Sequence, residues 1–392
     1  MARLGDCFLI IRNGASIKQV NGASGLPITR IETISNCEID RNKFGYAEIY
    51  DASKYEDYLL RDQDILMSHI NSEKHLGKVA IYHQNDGEQI IHGMNLLMLR
   101  ANPDIIFPQY ITYYFESPFF KRQIVNITKK SVNQASFTVT ALKELTIPIL
   151  SLNEQRKIAE VLDKVSDLIA KRRQQLEKLD LLVKARFVEM FGSCKTNPKN
   201  WSVCNLGEVA QVGSSKRVFV EELKESGIPF YRGTEVGALA EGKEIKPELF
   251  ITEEHYQKLC DATGKPQIGD LLMPSICSDG RIWVVNSEEP FYFKDGRVLW
   301  IHDINKDFNS IFLLYTLKDR IMLDYDSIAS GTTFAELKIF SLKQCKIFVA
   351  PIELQNKFAD FVEKTEKTKT SIRESLTKLE TLKKALMQEY FG

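Results

Sequence analysis

Residues 152–192 and 352–392 are two copies of one passage. The first opens Leu152-Asn153-Glu154-Gln155-Arg156-Lys157-Ile158-Ala159, the second Ile352-Glu353-Leu354-Gln355-Asn356-Lys357-Phe358-Ala359. They close alike, on Glu189-Met190-Phe191-Gly192 and Glu389-Tyr390-Phe391-Gly392. The offset is 200 at every matched position, so no gap is needed. Further upstream, Leu4-Gly5-Asp6 returns as Leu206-Gly207-Glu208, and Gly25 to Arg30 returns as Gly227 to Arg232, at an offset of 202. So long a period excludes a solenoid. It describes a duplication in which each copy is a globular region followed by a long helix. A two-fold pseudosymmetric molecule inside one polypeptide is expected, and such a molecule suits a two-part target.

The heptad walk in the first copy runs through Ile158, Leu162, Val165, Ile169, Arg172, Leu176, Leu179, Val183, Arg186 and Met190, and eight of these ten are apolar. In the second it runs through Phe358, Val362, Thr365, Lys369, Ile372, Leu376, Leu379, Lys383, Leu386 and Tyr390, with a weaker first half. A sustained seam of this period marks a coiled coil. Ser151 with Glu154 forms a capping box, Pro351 suits a first helical turn, and Gly192 and Gly392 suit helix ends. About forty residues at ~1.5 Å each make a rod near 60 Å. One apolar stripe that long is best covered by the other copy, and the intervening globular region favours an antiparallel pair.

The globular regions share islands only. Asp64-Ile65-Leu66-Met67 answers Asp270-Leu271-Leu272-Met273, and His92-Gly93 is matched to Asp295-Gly296. Short apolar runs at 78–82 and 281–285 read as strands, and the aromatic stretches at 110–115 and 311–315 as helices. The fold class is α+β, with two pseudo-symmetric α+β regions joined by two long helices packed as an antiparallel coiled coil. The expected boundaries are 1–150, helix 151–192, linker 193–201, 202–350 and helix 351–392. Divergent globular cores on matching rods imply that the two ends carry something different.

Composition excludes several classes. No apolar run reaches the roughly 18 residues of a membrane span. The start, Met1-Ala2-Arg3-Leu4-Gly5-Asp6, predicts no signal peptide. Seven cysteines without a C-x-x-C pair point to reduced thiols in the cytoplasm and to no metal site. Basic and acidic residues balance at 52 each. A DNA binder of this composition must sort its charges onto separate faces or share phosphate contact with a partner. Gly237 to Lys243 has Walker A spacing, but Glu244 stands where a magnesium-binding hydroxyl belongs. Asn102-Pro103-Asp104 is no methyltransferase motif, and no G-x-S-x-G, H-E-x-x-H or dinucleotide fingerprint occurs. The chain therefore reads as a binding protein with no catalytic residues.

Taken in order, several features resemble the specificity subunit of type I restriction–modification systems. They are the Ile147-Pro148-Ile149 junction into Leu152-Asn153-Glu154-Gln155, the exit through Phe191-Gly192 to Asn197-Pro198-Lys199-Asn200-Trp201 and Leu206-Gly207-Glu208, and repetition of the whole plan. The second junction departs from the pattern by reading Glu353-Leu354-Gln355, and Ser131 to Gln134 lacks the glycine of Ser330-Gly331-Thr332-Thr333. The resemblance implies two target recognition domains, each reading one half of an interrupted double-stranded DNA sequence. It implies helices that hold the domains apart and dock two methyltransferase subunits, with restriction and translocation subunits joining them. S-adenosylmethionine and ATP would belong to those partners, leaving this chain without a cofactor. The competing reading is a coiled-coil scaffold that binds proteins and reads no DNA.

Side chains able to read base edges in the major groove include Arg, Lys, Asn, Gln and Ser. In the first region the candidates are Arg30, Lys129, Lys130, Asn133 and Gln134, with the amides of Asn133 and Gln134 suited to adenine. In the second they are Lys216, Arg217, Arg232, Ser330, Thr332 and Thr333. Lys121 and Arg122 are candidates for phosphate.

Overall fold

The computed structural model describes residues 1–392 apart from 21, 23, 36–37, 132–133 and 331–334. It divides into two compact units, Met1–Gln174 with Arg373–Gly392, and Gln175–Ile372. Each long helix thus lends part of its length to each unit.

In chain order the first unit contains β1 (Phe8–Asn13), β2 (Ile65–Met67), β3 (Ile70–Asn71), β4 (Val79–Ile81), β5 (Leu97–Ala101), α1 (Pro108–Glu116), α2 (Pro118–Ile127), β6 (Lys129–Lys130), β7 (Ala135–Ser136) and the start of the long helix α3 (Leu152–Phe191). An antiparallel sheet has the order β1-β5-β2-β4, and a smaller one has the order β3-β7-β6. All three residues of β2 are fully buried, as are Leu97, Met98 and Leu99. These apolar runs can only be central strands. The second unit holds the end of α3, then β8 (Gln211–Gly213), β9 (Ile228–Tyr231), α4 (Gly233–Ala240), α5 (Glu253–Thr263), β10 (Leu271–Pro274), β11 (Trp283–Val284), β12 (Tyr292–Phe293), β13 (Val298–His302), α6 (Ser310–Ile328), β14 (Ala329–Ser330), β15 (Glu336–Leu337) and the start of α7 (Ile352–Phe391). Its main sheet, β8-β13-β10-β11, repeats the order and antiparallel sense of the first. The register shifts one match made from sequence. Met67 pairs with Leu97 and Met273 with Leu299, so Gly93 answers Asp295 and not Gly296.

Within each unit the helix segments run antiparallel. In the first, Ala159 and Leu162 of α3 share a core with Met387 and Phe391 of α7. In the second, Val183, Phe187 and Phe191 share a core with Phe358 and Val362. Leu162, Val165, Ile169, Val183, Phe358 and Val362 are buried, and Ile158, Leu176, Leu179, Ile372, Leu376, Leu379 and Leu386 are half-buried. Two polar residues of the weaker stretch are buried as well. Thr365 donates its hydroxyl to the Phe361 carbonyl at 2.8 Å, and Lys369 Nζ lies 2.7 Å from Asp180 and 2.5 Å from Glu366.

The recurring motifs have local causes. Gln155 and Gln355 are fully buried. The Gln155 amide donates to the carbonyls of Ile105 (3.0 Å) and Leu150 (2.9 Å) and accepts from the Phe107 N–H (2.8 Å). Gln355 does the same with Asp307 (3.1 Å), Ala350 (2.7 Å) and the Asn309 N–H (2.8 Å). Each glutamine therefore ties its helix start to the loop that opens α1 or α6. The Phe-Gly exits are anchors. The Phe191 ring lies 4.7 Å from that of Phe312, and the Phe391 ring lies 5.3 Å from that of Tyr110. Burying each is worth about 1.5–3 kcal/mol. Gly192 has φ +82°, and a Cβ there would meet Pro198 at 2.6 Å. Ser151 and Glu154 cap each other's backbone N–H groups. Pro351 stands one residue ahead of α7, its carbonyl taking bonds from Leu354 and Gln355. The segment 193–201, expected to be a linker, is packed on the second unit. Cys194 is buried, its N–H donates to Asp319 at 3.0 Å, and Trp201 donates its indole N–H to the Phe191 carbonyl at 2.9 Å.

Candidate nucleic-acid interface

In each unit the loops of divergent sequence leave one end of the main sheet. In the first unit that end is where Asn13, Leu97 and Met67 meet. Gly14 and Gly93 let the backbones close there. A Cβ on Gly14 would lie 2.2 Å from the His92 carbonyl, and one on Gly93 would lie 2.3 Å from that of Thr29. Arg30 follows directly. From β2 the chain continues through Ser68 and His69 into β3, which pairs with the β6–β7 hairpin. Lys129 and Lys130 lie on that hairpin, and Gln134 lies at its turn. The structure thus gathers Arg30, Lys129, Lys130 and Gln134 at one sheet end. Asn133 lies outside the described residues. All four gathered residues are exposed. Lys130 is 2.8 Å from Glu73, and Arg30 is 3.9 Å from Glu32.

The second unit repeats the plan. Gly213, Val298 and Pro274 mark the corresponding end. Lys216 and Arg217 leave β8, Arg232 leaves β9, and Ser330 sits on the β14–β15 hairpin, while Thr332 and Thr333 lie outside the described residues. Leu337 donates its N–H to the Ser275 carbonyl as Phe137 does to His69, so the two hairpins are rooted at equivalent positions. Lys216, Arg217 and Ser330 are exposed. Arg217 pairs with Asp295 at 3.2 Å. Arg232 is half-buried and held by Glu235 (2.5 Å) and Glu248 (3.1 Å). Glu235 also takes the Arg232 N–H at 2.8 Å, which gives this arginine a role at the start of α4. The Walker-like segment lies largely inside α4 and supplies no phosphate loop ahead of a helix.

Sequence reasoning missed the polar groups beneath these loops. His69 Nδ1 and Ser275 Oγ, two residues past Met67 and Met273, are buried and have no hydrogen-bond partner among the described residues. His92 is fully buried. Its Nδ1 is 3.2 Å from Thr29 Oγ1, which accepts from the Gly93 N–H at 2.9 Å. Nε2 of the same ring has no hydrogen-bond partner among the described residues. Burial lowers the pKa of His69 and carries that of His92 down to about 3, so both rings are neutral at physiological pH. A second missed feature lies on the helices. Leu182, Ala185, Arg186, Glu189 and Phe361 line a groove of about 530 Å³ in the second unit. The residues 200 positions away, Val161 and Leu382, are exposed apolar side chains of the first unit.

Among the described residues no group of acids, cysteines and histidines is placed to hold a metal, and no helix is long and apolar enough to cross a membrane.

The model of the type I restriction modification DNA specificity domain matches residues 1–179 and again 198–383. A chain named as the type I restriction enzyme MjaX specificity subunit, from Methanocaldococcus jannaschii, is 32% identical across 97% of this chain and 91% of its own length. The specificity subunit S.HindORF215P of Haemophilus influenzae is 27% identical over 62% of this chain and 61% of its own. The crystal structure of the type I restriction–modification S subunit from M. genitalium superposes with a TM-score of 0.60 at 16% identity, covering 100% of this chain and 95% of that one.

Proposed function

The chain belongs to the type I restriction–modification DNA specificity family, as a specificity subunit and not a catalyst, and from that premise we propose that it reads an interrupted duplex sequence, one half with each globular region. One observation carries the reading. Equivalent sheet ends in the two units bear the divergent loops, while the helices that follow align without a gap and share 14 of 41 residues. Sequence readout needs side chains that differ between half-sites, on scaffolds that do not. Base edges would be met by the hairpins and the neighbouring turns, and phosphate by the exposed Lys121 and Arg122.

The exposed apolar residues Val161 and Leu382 in the first unit, with exposed Leu182 beside half-buried Phe361 in the second, are suited to two methyltransferase subunits, one at each matching surface. Restriction and translocation subunits would complete the complex in the cytoplasm, where its DNA is. S-adenosylmethionine and ATP would be held by those partners. A balanced charge fits shared phosphate contact, because the partners can supply the positive field.

The test is a band shift with the chain alone and with its methyltransferase, on a duplex bearing the motif methylated in the source genome and on a scrambled duplex. Selective retention of the motif by the complex is expected. Equal retention of both duplexes, or of neither, would leave the protein-binding scaffold as the better reading.

A further inference from the structure

The sheet register brings together two residues that the sequence does not single out. Because Leu97 answers Leu299, Asn95 and Arg297 occupy the same position, in the turn that enters the central strand at the end carrying the loops. Both are exposed. No described residue hydrogen-bonds the Asn95 side chain. Arg297 is ion-paired with Glu336 on β15, and Glu336 also lies 3.1 Å from Lys338. The hairpin position equivalent to Glu336 in the first unit is Ser136, since Phe137 and Leu337 root their hairpins alike. The charged residue of the second unit is thus paired with a carboxylate, and the equivalent hairpin position of the first unit carries the uncharged Ser136. The Arg297–Glu336 pair joins two separate loops, as Arg217–Asp295 does, whereas Asp279 is two residues from Arg281 and Glu235 caps the Arg232 backbone.

We propose that this shared position reads one base in each half-site, Asn95 an adenine and Arg297 a guanine, and that Glu336 is a positioning residue for the Arg297 fork. The inference rests on the two-half reading given above. An asparagine amide matches adenine N6 and N7, and a guanidinium fork matches guanine O6 and N7. An unguarded arginine would also bind the phosphates of any sequence. A carboxylate beside it repels phosphate and so penalises the wrong contact. The short neutral amide of Asn95 needs no such guard.

The experiment uses the chain assembled with its methyltransferase and maps the methylated motif genome-wide for wild type, Arg297→Ala, Arg297→Lys, Asn95→Ala and Glu336→Gln. The wild-type motif is expected to carry a guanine in the half-site affected by Arg297 and an adenine in the other. Arg297→Ala should relax that guanine alone, with discrimination falling roughly five- to a hundredfold. Arg297→Lys keeps the charge and loses the fork, so it should relax the same guanine, whereas a merely structural cation would be rescued. Asn95→Ala should relax one adenine of the opposite half-site. Glu336→Gln should bind motif-free duplex more tightly, with a salt slope steeper by about one. A wild-type bipartite motif with no guanine in either half, or an unchanged motif in both Arg297 variants, overturns this inference and leaves the two-half reading standing. Absence of any bipartite motif in the wild type overturns both.

Discussion

Replacing Gln155 by leucine removes three hydrogen bonds at once without changing much volume. The side chain is fully buried and joins the carbonyls of Ile105 and Leu150 and the N–H of Phe107 at 2.8–3.0 Å. Each bond is worth about 0.5–1.5 kcal/mol net, and an orphaned buried partner costs about 1–3 kcal/mol. A buried carbonyl without a partner is better tolerated than a buried N–H without one, so the Phe107 N–H carries the largest penalty. The sum is about 3 kcal/mol. At about 2–4 °C per kcal/mol for a domain of 150–250 residues, the first unit should melt about 6–12 °C earlier. Gln355→Leu should do the same to the second unit through Asp307, Asn309 and Ala350. Calorimetry that resolves two transitions, with peptide-level hydrogen exchange to assign them, measures both. If Gln155→Leu moves neither transition by more than about 1 °C, the glutamine is no clamp and the recurrence of its motif needs another cause.

Other outcomes follow from the same geometry. Phe391→Ala should cost about 3–5 kcal/mol in the first unit by removing the ring packed on Tyr110 and Tyr114, and Phe191→Ala should cost a similar amount in the second, both read from urea midpoints. His92 has a folded pKa near 3 and an unfolded value near 6.5, so the unfolded chain takes the proton first. Its stabilising effect is complete above pH 6.5 and is lost as pH falls toward 3, about 2 kcal/mol being gone by pH 5. Urea unfolding at pH 7.5 and 5.0 should show that slope, and His92→Gln should flatten it; equal slopes in the two proteins would remove His92 as the cause.

What was legible in the sequence was whatever the duplication wrote twice. The 200-residue offset marks both helices, and the apolar period marks their buried faces, because both signals are local and repeated. The role of Gln155 was hidden, since two of its three partners lie about fifty residues upstream and all are backbone groups that any residue type carries. Lys369 read as a defect in the seam because periodicity records polarity and is blind to Asp180, which supplies the countercharge. The hairpin candidates were found through polar composition at a turn. Arg297 was missed because matching His92-Gly93 to Asp295-Gly296 displaced the turn by one residue, and only the pairing of Met67 with Leu97 and Met273 with Leu299 corrects it.

The division of labour between the two globular regions is tested most directly by exchange. Residues 202–350 are replaced by the equivalent region of another specificity subunit, the chimaera is assembled with the methyltransferase, and its methylated motif is read genome-wide. One half of the motif should change to that of the donor, while the other half and the spacer stay as they were. A change in both halves, or in neither, would contradict the assignment of one half-site to each region.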